Sequence, residues 1–140
     1  MAEQKKLQIS IALCTYNGQK YLREQLDCFA NQTRLPDEVV ISDDGSTDRT
    51  MEILEQWASE VSFPVKIRRN EKNLGYARNF EETILRCVGD IVFPSDQDDW
   101  WFPEKLERME KVFLEKPETT FAACRTQYSN SRLESYSTEE

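Results

Sequence analysis

Four short runs rich in β-branched residues recur along the chain, each followed by a polar or glycine-bearing segment and then by apolar residues at helical spacing. This alternation is the strongest constraint on the fold. Strands separated by helices pair in parallel through crossovers, and the helices cover both faces of the resulting sheet. The expected strands are Leu7 to Leu13 (LQISIAL), Glu38 to Ser42 (EVVIS), Pro64 to Arg68 (PVKIR) and Asp90 to Pro94 (DIVFP), with Thr119 to Cys124 as a candidate fifth. Between them, Leu22, Gln25/Leu26 and Phe29 mark a helix within Gln19 to Gln32. Met51, Leu54, Trp57, Ala58 and Val61 mark a second, with Ser46 or Thr47 as its cap. A third spans Gly75 to Val88 and carries Tyr76, Phe80, Ile84 and Cys87. A fourth opens at Pro103 and runs to Lys116, with Leu106, Met109 and Phe113 inward. The fold class is therefore α/β with a mainly parallel central sheet, helices on both faces and right-handed crossovers.

The chain's 140 residues suffice for one domain with a real core. No apolar run approaches the roughly 20 residues of a membrane span, and the polar stretch Met1 to Lys6 has no apolar segment behind it, so neither a transmembrane segment nor a signal peptide is expected. The expected location is cytoplasmic. With 26 acidic and 18 basic residues the formal charge is −8, which disfavours nucleic acid as a partner. Histidine is absent, which excludes Ser-His-Asp and Cys-His catalysis and any zinc site that needs imidazole. The four cysteines, Cys14, Cys28, Cys87 and Cys124, form no CxxC pair and read as reduced, mostly buried thiols.

In an open α/β sheet, ligands bind at the carboxyl ends of the strands. Three polar clusters stand there: Thr15-Tyr16-Asn17-Gly18, Asp43-Asp44-Gly45-Ser46-Thr47-Asp48 and Ser95-Asp96-Gln97-Asp98-Asp99. The last carries three carboxylates within four residues, which repel one another unless a cation neutralises them. Carboxylate oxygens suit Mg²⁺ or Mn²⁺, and such sites leave positions for water and substrate phosphates. The alternative is a solvated acidic turn ahead of a helix. In Asp43-Asp44, one carboxylate suffices for a turn or helix cap, leaving the other for a ribose hydroxyl or a base N–H. Tyr16 either stacks on a base or is a rim aromatic. Arg78 either binds phosphate or pairs with Asp44 or Asp96. Lys66, Arg68, Arg69 and Lys72 read as a solvated strand face. Trp100-Trp101 reads as core, with at least one ring close to the acidic turn.

Read together, ISIALCTYNG, the Leu22 to Thr33 segment LxxQLxxxxNQT, EVVISDDGSTDRT, NLGYARNF and SDQDDWWFPEKL resemble the glycosyltransferase family 2 enzymes of GT-A fold, in order and spacing from about Ile9 to Leu106. The SDQDDxWxPxK form looks closest to the bacterial rhamnosyltransferase-like branch. The resemblance implies a nucleotide-sugar-binding domain over residues 1–125, with 126–140 as a polar tail or a truncated continuation. Asp96-Gln97-Asp98 matches the DxD motif. By that match Asp98 is the direct ligand of a divalent ion (Mn²⁺ or Mg²⁺) bridging the donor diphosphate, and Asp96 faces ribose or sugar and shares in the metal site. Asp44 matches the nucleoside contact, Thr15 and Tyr16, with Asn17 beside them, match the loop enclosing the base, and Arg78 matches a basic residue near the phosphates. The implied donor is a UDP- or dTDP-linked sugar, and the implied acceptor a hydroxyl of a cell-surface polysaccharide or lipid-linked glycan. The full-length enzyme would be cytoplasmic, peripheral at the inner membrane face.

Two departures from the family pattern stand out. Cys14 occupies a position where proline is common. No segment after Asp99 matches the motif of the general base that an inverting enzyme of this family needs, so that carboxylate is expected beyond residue 140 and the chain is expected to bind donor but transfer poorly. The competing readings are a nucleotidyltransferase, which would show a Gly-rich phosphate loop after the first strand; a receiver-like signalling domain, whose acidic pair is replaced here by Thr15-Tyr16; and a nucleotide-binding module without activity.

Overall fold

In a computed structural model, residues 5–130 and 132 are described. Four strands, β1 (Ile9–Thr15), β2 (Glu38–Asp43), β3 (Val65–Arg69) and β4 (Ile91–Ser95), alternate with helices α1 (Leu22–Ala30), α2 (Thr50–Glu60), α3 (Tyr76–Leu85) and α4 (Lys105–Glu115). All pairings are parallel and the strand order is β3-β2-β1-β4, as the alternation requires. After β3 the chain crosses back over β2 and β1 to lay β4 on the far edge of β1. The order thus reverses at the β1–β4 boundary, and a crevice opens where the strands end.

The two faces of the sheet differ. Ile9, Ile11 and Leu13 of β1, with Val39 and Ile41 of β2 and Ile91 and Phe93 of β4, join Leu22, Leu26 and Phe29 of α1 and Leu54 and Trp57 of α2 in one apolar core, which Trp101 and Leu106 close. Phe29 packs against Trp57 and Trp101 at ring-centroid distances of 6.2 and 4.9 Å. Burying each such side chain stabilises the fold by roughly 1.5–3 kcal/mol. The opposite face presents Ser10, Ala12 and Cys14 in register with Glu38, Val40 and Ser42. These small side chains let α3 sit close, and it meets them through polar atoms. Thr83 Oγ1 donates to Ser42 Oγ at 2.8 Å and lies 3.4 Å from Cys14 Sγ, and Asn79 Nδ2 donates to the Ser42 carbonyl at 3.2 Å. The buried residues of α3 are therefore Asn79 and Thr83, whereas Tyr76, Phe80 and Ile84, the apolar residues that mark the helix in sequence, flank a groove beside β4.

The element bounds shift from the expected ones for identifiable reasons. Strand β1 begins at Ile9 because both of its ladders begin there or one residue later. Helix α2 starts at Thr50 with Arg49 before it, so neither Ser46 nor Thr47 caps it, and Asp48 Oδ1 accepts from the Thr50 N–H at 2.9 Å. Pro103 lies in a turn closed by Lys105 N–H donating to the Phe102 carbonyl, and α4 follows it. The expected strand at Thr119 to Cys124 is not formed. That segment has no ladder partner, and Phe121 is 81% exposed. Of the expected polar tail or truncated continuation at 126–140, positions 131 and 133–140 lie outside the described residues.

Candidate functional site

The carboxyl ends of β1, β2 and β4 meet the β3–α3 loop in a cleft of about 480 Å³. Its lining includes Thr15, Tyr16, Asp44, Asp96 and Asp98, contributed by all three polar clusters, together with Asn73, Gly75, Asn79 and Gln97. A second depression of about 370 Å³, lined by Tyr76, Phe80, Ile84 and Pro94, adjoins it through Asp96.

The cluster after β2 is fully engaged. Asp43 is buried and accepts from Thr15 Oγ1 at 2.8 Å, Ser46 N–H at 2.9 Å, Ser46 Oγ at 2.5 Å and Gly45 N–H at 3.2 Å. Asp44 accepts from Leu74 N–H at 2.7 Å and from Asn70 Nδ2 and Gly75 N–H at 3.0 Å each. These bonds latch the β3–α3 loop onto the end of β2. Gly75 has φ 80°, a left-handed conformation that glycine adopts without a steric cost. The expectation that one of the two carboxylates is left over is thus corrected, because Thr15, Gly45 and Ser46 supply donors to Asp43 and the β3–α3 loop supplies them to Asp44. Asp44 still lines the cleft, and a carboxylate has about four acceptor positions, so its three bonds leave room for a further donor.

The cluster after β4 is the reverse. Among the described residues no donor bonds to the carboxylates of Asp96, Asp98 or Asp99. Partial withdrawal from water, with the charges of Asp99 and Asp98 beside it, raises the Asp96 carboxyl above its ordinary value. The turn itself is well held. Gln25, fully buried on α1, donates from Nε2 to Ser95 Oγ at 3.0 Å, and Ser95 Oγ donates to the Asp96 carbonyl at 2.9 Å. Among the described residues no three His, Cys, Asp or Glu side chains converge to hold a metal unaided. A hard cation that keeps most of its shell for water and phosphate oxygens needs only one or two carboxylates, and unpartnered Asp96 and Asp98 fit it on that ground.

The other expected residues fall as follows. Tyr16 is half-exposed on the cleft rim. Thr15 is buried, with its hydroxyl spent on Asp43. Asn17, at φ 46°, joins the β1 and β2 loops by donating its N–H to Ser46 Oγ and accepting the Thr47 N–H, both at 2.8 Å. Arg78 is outside the cleft lining, and its partner is Glu82, one helical turn on, at 3.2 Å. Of the basic run, Lys66 pairs with buried Glu38 at 2.8 Å, and Arg69 donates to the Ser46 carbonyl. Trp101 is core, and Trp100, next to the acidic turn, is 44% exposed. Cys14 lines the cleft with its thiol pushed up to about 11, chiefly by burial, so it stands there as a neutral thiol. The tying roles of Asn70, Asn79 and Gln97 gave no signal in sequence, as their partners Asp44, Ser42 and Tyr16 lie far along the chain.

Residues 10–140 match the family model described as Glycosyl transferase family 2. The chain belongs to glycosyltransferase family 2. It is 40% identical over 93 residues to abequosyltransferase RfbV of Salmonella typhimurium, covering 65% of this chain and 28% of that protein. The fold superposes on TarS of S. aureus, solved in complex with UDP-GlcNAc, with a TM-score of 0.71 and 30% identity over 77% of this chain and 31% of that one. It also matches a mannosyltransferase from Pyrobaculum calidifontis, solved with GDP-Man and Mn²⁺, with a TM-score of 0.72 at 24% identity, over 78% of this chain and 33% of that one. These neighbours are GT-A enzymes, and the all-parallel sheet with alternating helices has that fold. The chain spans about a third of the length of the relatives it matches. No helix of the described residues is long and apolar enough to cross a membrane.

Proposed function

We propose that this domain binds the nucleoside-diphosphate sugar of a metal-dependent, inverting glycosyltransferase, which passes the sugar to a hydroxyl of a polysaccharide or lipid-linked glycan. The observation that carries this reading is the meeting, in one cleft of a family 2 fold, of Tyr16 and Asp44 with the two unpartnered carboxylates Asp96 and Asp98. Tyr16 offers a ring face to the base, and Asp44 an acceptor to a base N–H or a ribose hydroxyl. Asp98, with Asp96, would hold Mn²⁺ or Mg²⁺, which when bound offsets the charge on the leaving diphosphate. Asp96, which lines the neighbouring depression as well, would face the ribose or sugar. Thr15 and Asn17 serve as frame, tying the β1 loop to β2. Arg78 would reach phosphate only on leaving Glu82. The relatives solved with UDP-GlcNAc and with GDP-Man support a nucleotide-sugar as the ligand class. Deprotonation of the acceptor belongs to a carboxylate outside the motifs matched here.

Calorimetric titration with UDP, dTDP and GDP, with and without Mn²⁺, tests the proposal. One nucleotide should bind, Mn²⁺ should tighten it at least tenfold, and Asp98→Ala should remove that gain. Failure of all three to bind the folded protein would overturn the reading.

A further inference from the structure

Gln97, the residue between the two aspartates of the acidic turn, reaches back from the β4 loop to the β1 loop. Its amide engages both polar atoms of one residue there: the Tyr16 N–H donates to Oε1 at 2.9 Å, and Nε2 donates to the Tyr16 carbonyl at 2.9 Å. This cyclic pairing requires one donor and one acceptor at the end of a side chain of this length. A carboxylate of the same length could accept but not donate, and a methionine could do neither. Gly18 lies directly beneath. A Cβ added there would collide with the Gln97 amide, and the three atoms nearest to it all belong to Gln97. Gly18 is not among the residues at positive φ, so its backbone would accept alanine. Nor can Gly18 step aside, because its N–H donates to Thr50 Oγ1 at 2.9 Å and its carbonyl accepts from the N–H groups of Tyr21 and Leu22, where α1 begins.

We propose that Gln97 is a positioning residue which locks the loop carrying Thr15 and Tyr16 to the loop carrying Asp96 and Asp98, and that Gly18 leaves the space this lock occupies. The inference rests on the reading of the cleft as a nucleoside-diphosphate site. A nucleotide with its cation touches both loops at once, the base at one and the diphosphate at the other. Loops fixed beforehand at the right separation need no ordering on binding, and affinity rises accordingly. A nucleoside without phosphates touches only the β1 and β2 loops and gains nothing from the lock.

The test uses Gln97→Met, which keeps the volume and loses both bonds, Gly18→Ala, which pushes the amide out, and the double variant. Each is titrated with UDP and Mn²⁺ (or with dTDP or GDP, whichever the wild type binds) and with the matching nucleoside by NMR. Hydrogen exchange reports the Tyr16 amide. Each single variant should weaken the nucleotide–Mn²⁺ complex about tenfold, a typical yield of preorganisation. The double variant should be no weaker than either, the nucleoside should change less than twofold, and Tyr16 should exchange faster in all three. Unchanged nucleotide affinity in Gln97→Met, additive losses in the double variant, or an equal loss for the nucleoside would each overturn the lock while leaving the nucleotide site in place. Absence of nucleotide binding by the wild type would overturn the site and the lock together.

Discussion

Two aspartate clusters follow β2 and β4, the strands on either side of β1, and the protein treats them in opposite ways. After β2, Asp43 and Asp44 receive seven hydrogen bonds from Thr15, Gly45, Ser46, Asn70, Leu74 and Gly75. After β4, Asp96, Asp98 and Asp99 receive none from the described residues, and the loop is held by the neutral side chains of Gln25, Ser95 and Gln97. One set of charges organises the frame, and the other is left without donors from the described residues. Residue type alone does not separate the two roles; the donors delivered by distant loops do.

The largest effect that tests this contrast is on stability. Asp43→Ala strips the acceptors from buried donors at Thr15 and Ser46 and from the half-buried Gly45 N–H, and should cost about 3 kcal/mol in denaturant unfolding. Asp98→Ala should stay within about 0.5 kcal/mol of wild type in the same assay while losing the Mn²⁺-dependent nucleotide affinity. A fall in stability for Asp98→Ala as large as that for Asp43→Ala would erase the distinction. Asp44→Ala sits between them, at about 1–2 kcal/mol, with faster amide exchange at Leu74 and Gly75, whose N–H groups it holds.

The smallest effects appear in pH dependence, where two carboxylates move in opposite directions. Burial pushes Glu38 up, but hydrogen bonds from Lys66, Ser10 and the Val88 N–H outweigh it and hold the carboxyl below the ordinary 4.5. A depressed carboxyl contributes stability above its unfolded value, and that contribution is lost as pH falls through its folded one. The advantage of wild type over Glu38→Gln should therefore be full at pH 7 and shrink below about 4.5. Asp96, raised by partial burial and by Asp99 and Asp98, has the opposite sign: its ionised form weighs against the fold once pH rises through the folded value. Asp96→Asn should melt slightly above wild type at pH 7, and the gap should close in acid. Equal profiles for the two variants would contradict both assignments.

The sheet was legible because its information is local. β-branched runs and helical spacing each occupy a few consecutive residues, and the polar clusters follow directly on the strands. The expected pairing of Arg78 with Asp44 or Asp96 is not formed: Glu82 stands at the i,i+4 position where a helical ion pair forms, a local spacing the sequence does carry. The engagement of both Asp43 and Asp44 was not, because Asn70 and Leu74 lie 26 and 30 residues from Asp44. The expected strand at Thr119 to Cys124 shows the same limit. Composition suits a strand there, but a strand exists only with a ladder partner, and spacing along one segment says nothing of that. For α3 the apolar stripe pointed to Tyr76, Phe80 and Ile84, whereas the sheet face beneath it is built from Ser42, Cys14 and Ala12 and so favours Asn79 and Thr83.

The strand order also sets a timetable for synthesis. A ribosome delivers β2, the first neighbour of β1, well before β4, the second, and Tyr16 waits 81 residues for Gln97. Until β4 has emerged, a strand buried along its whole length carries an open edge of unsatisfied peptide groups beside Ile9, Ile11 and Leu13, the kind of edge on which other chains assemble. Nascent chains stalled shortly before Ile91 should bind holdase chaperones and be cleaved rapidly by protease, and chains released past Leu106, once α4 begins to close the core, should resist both.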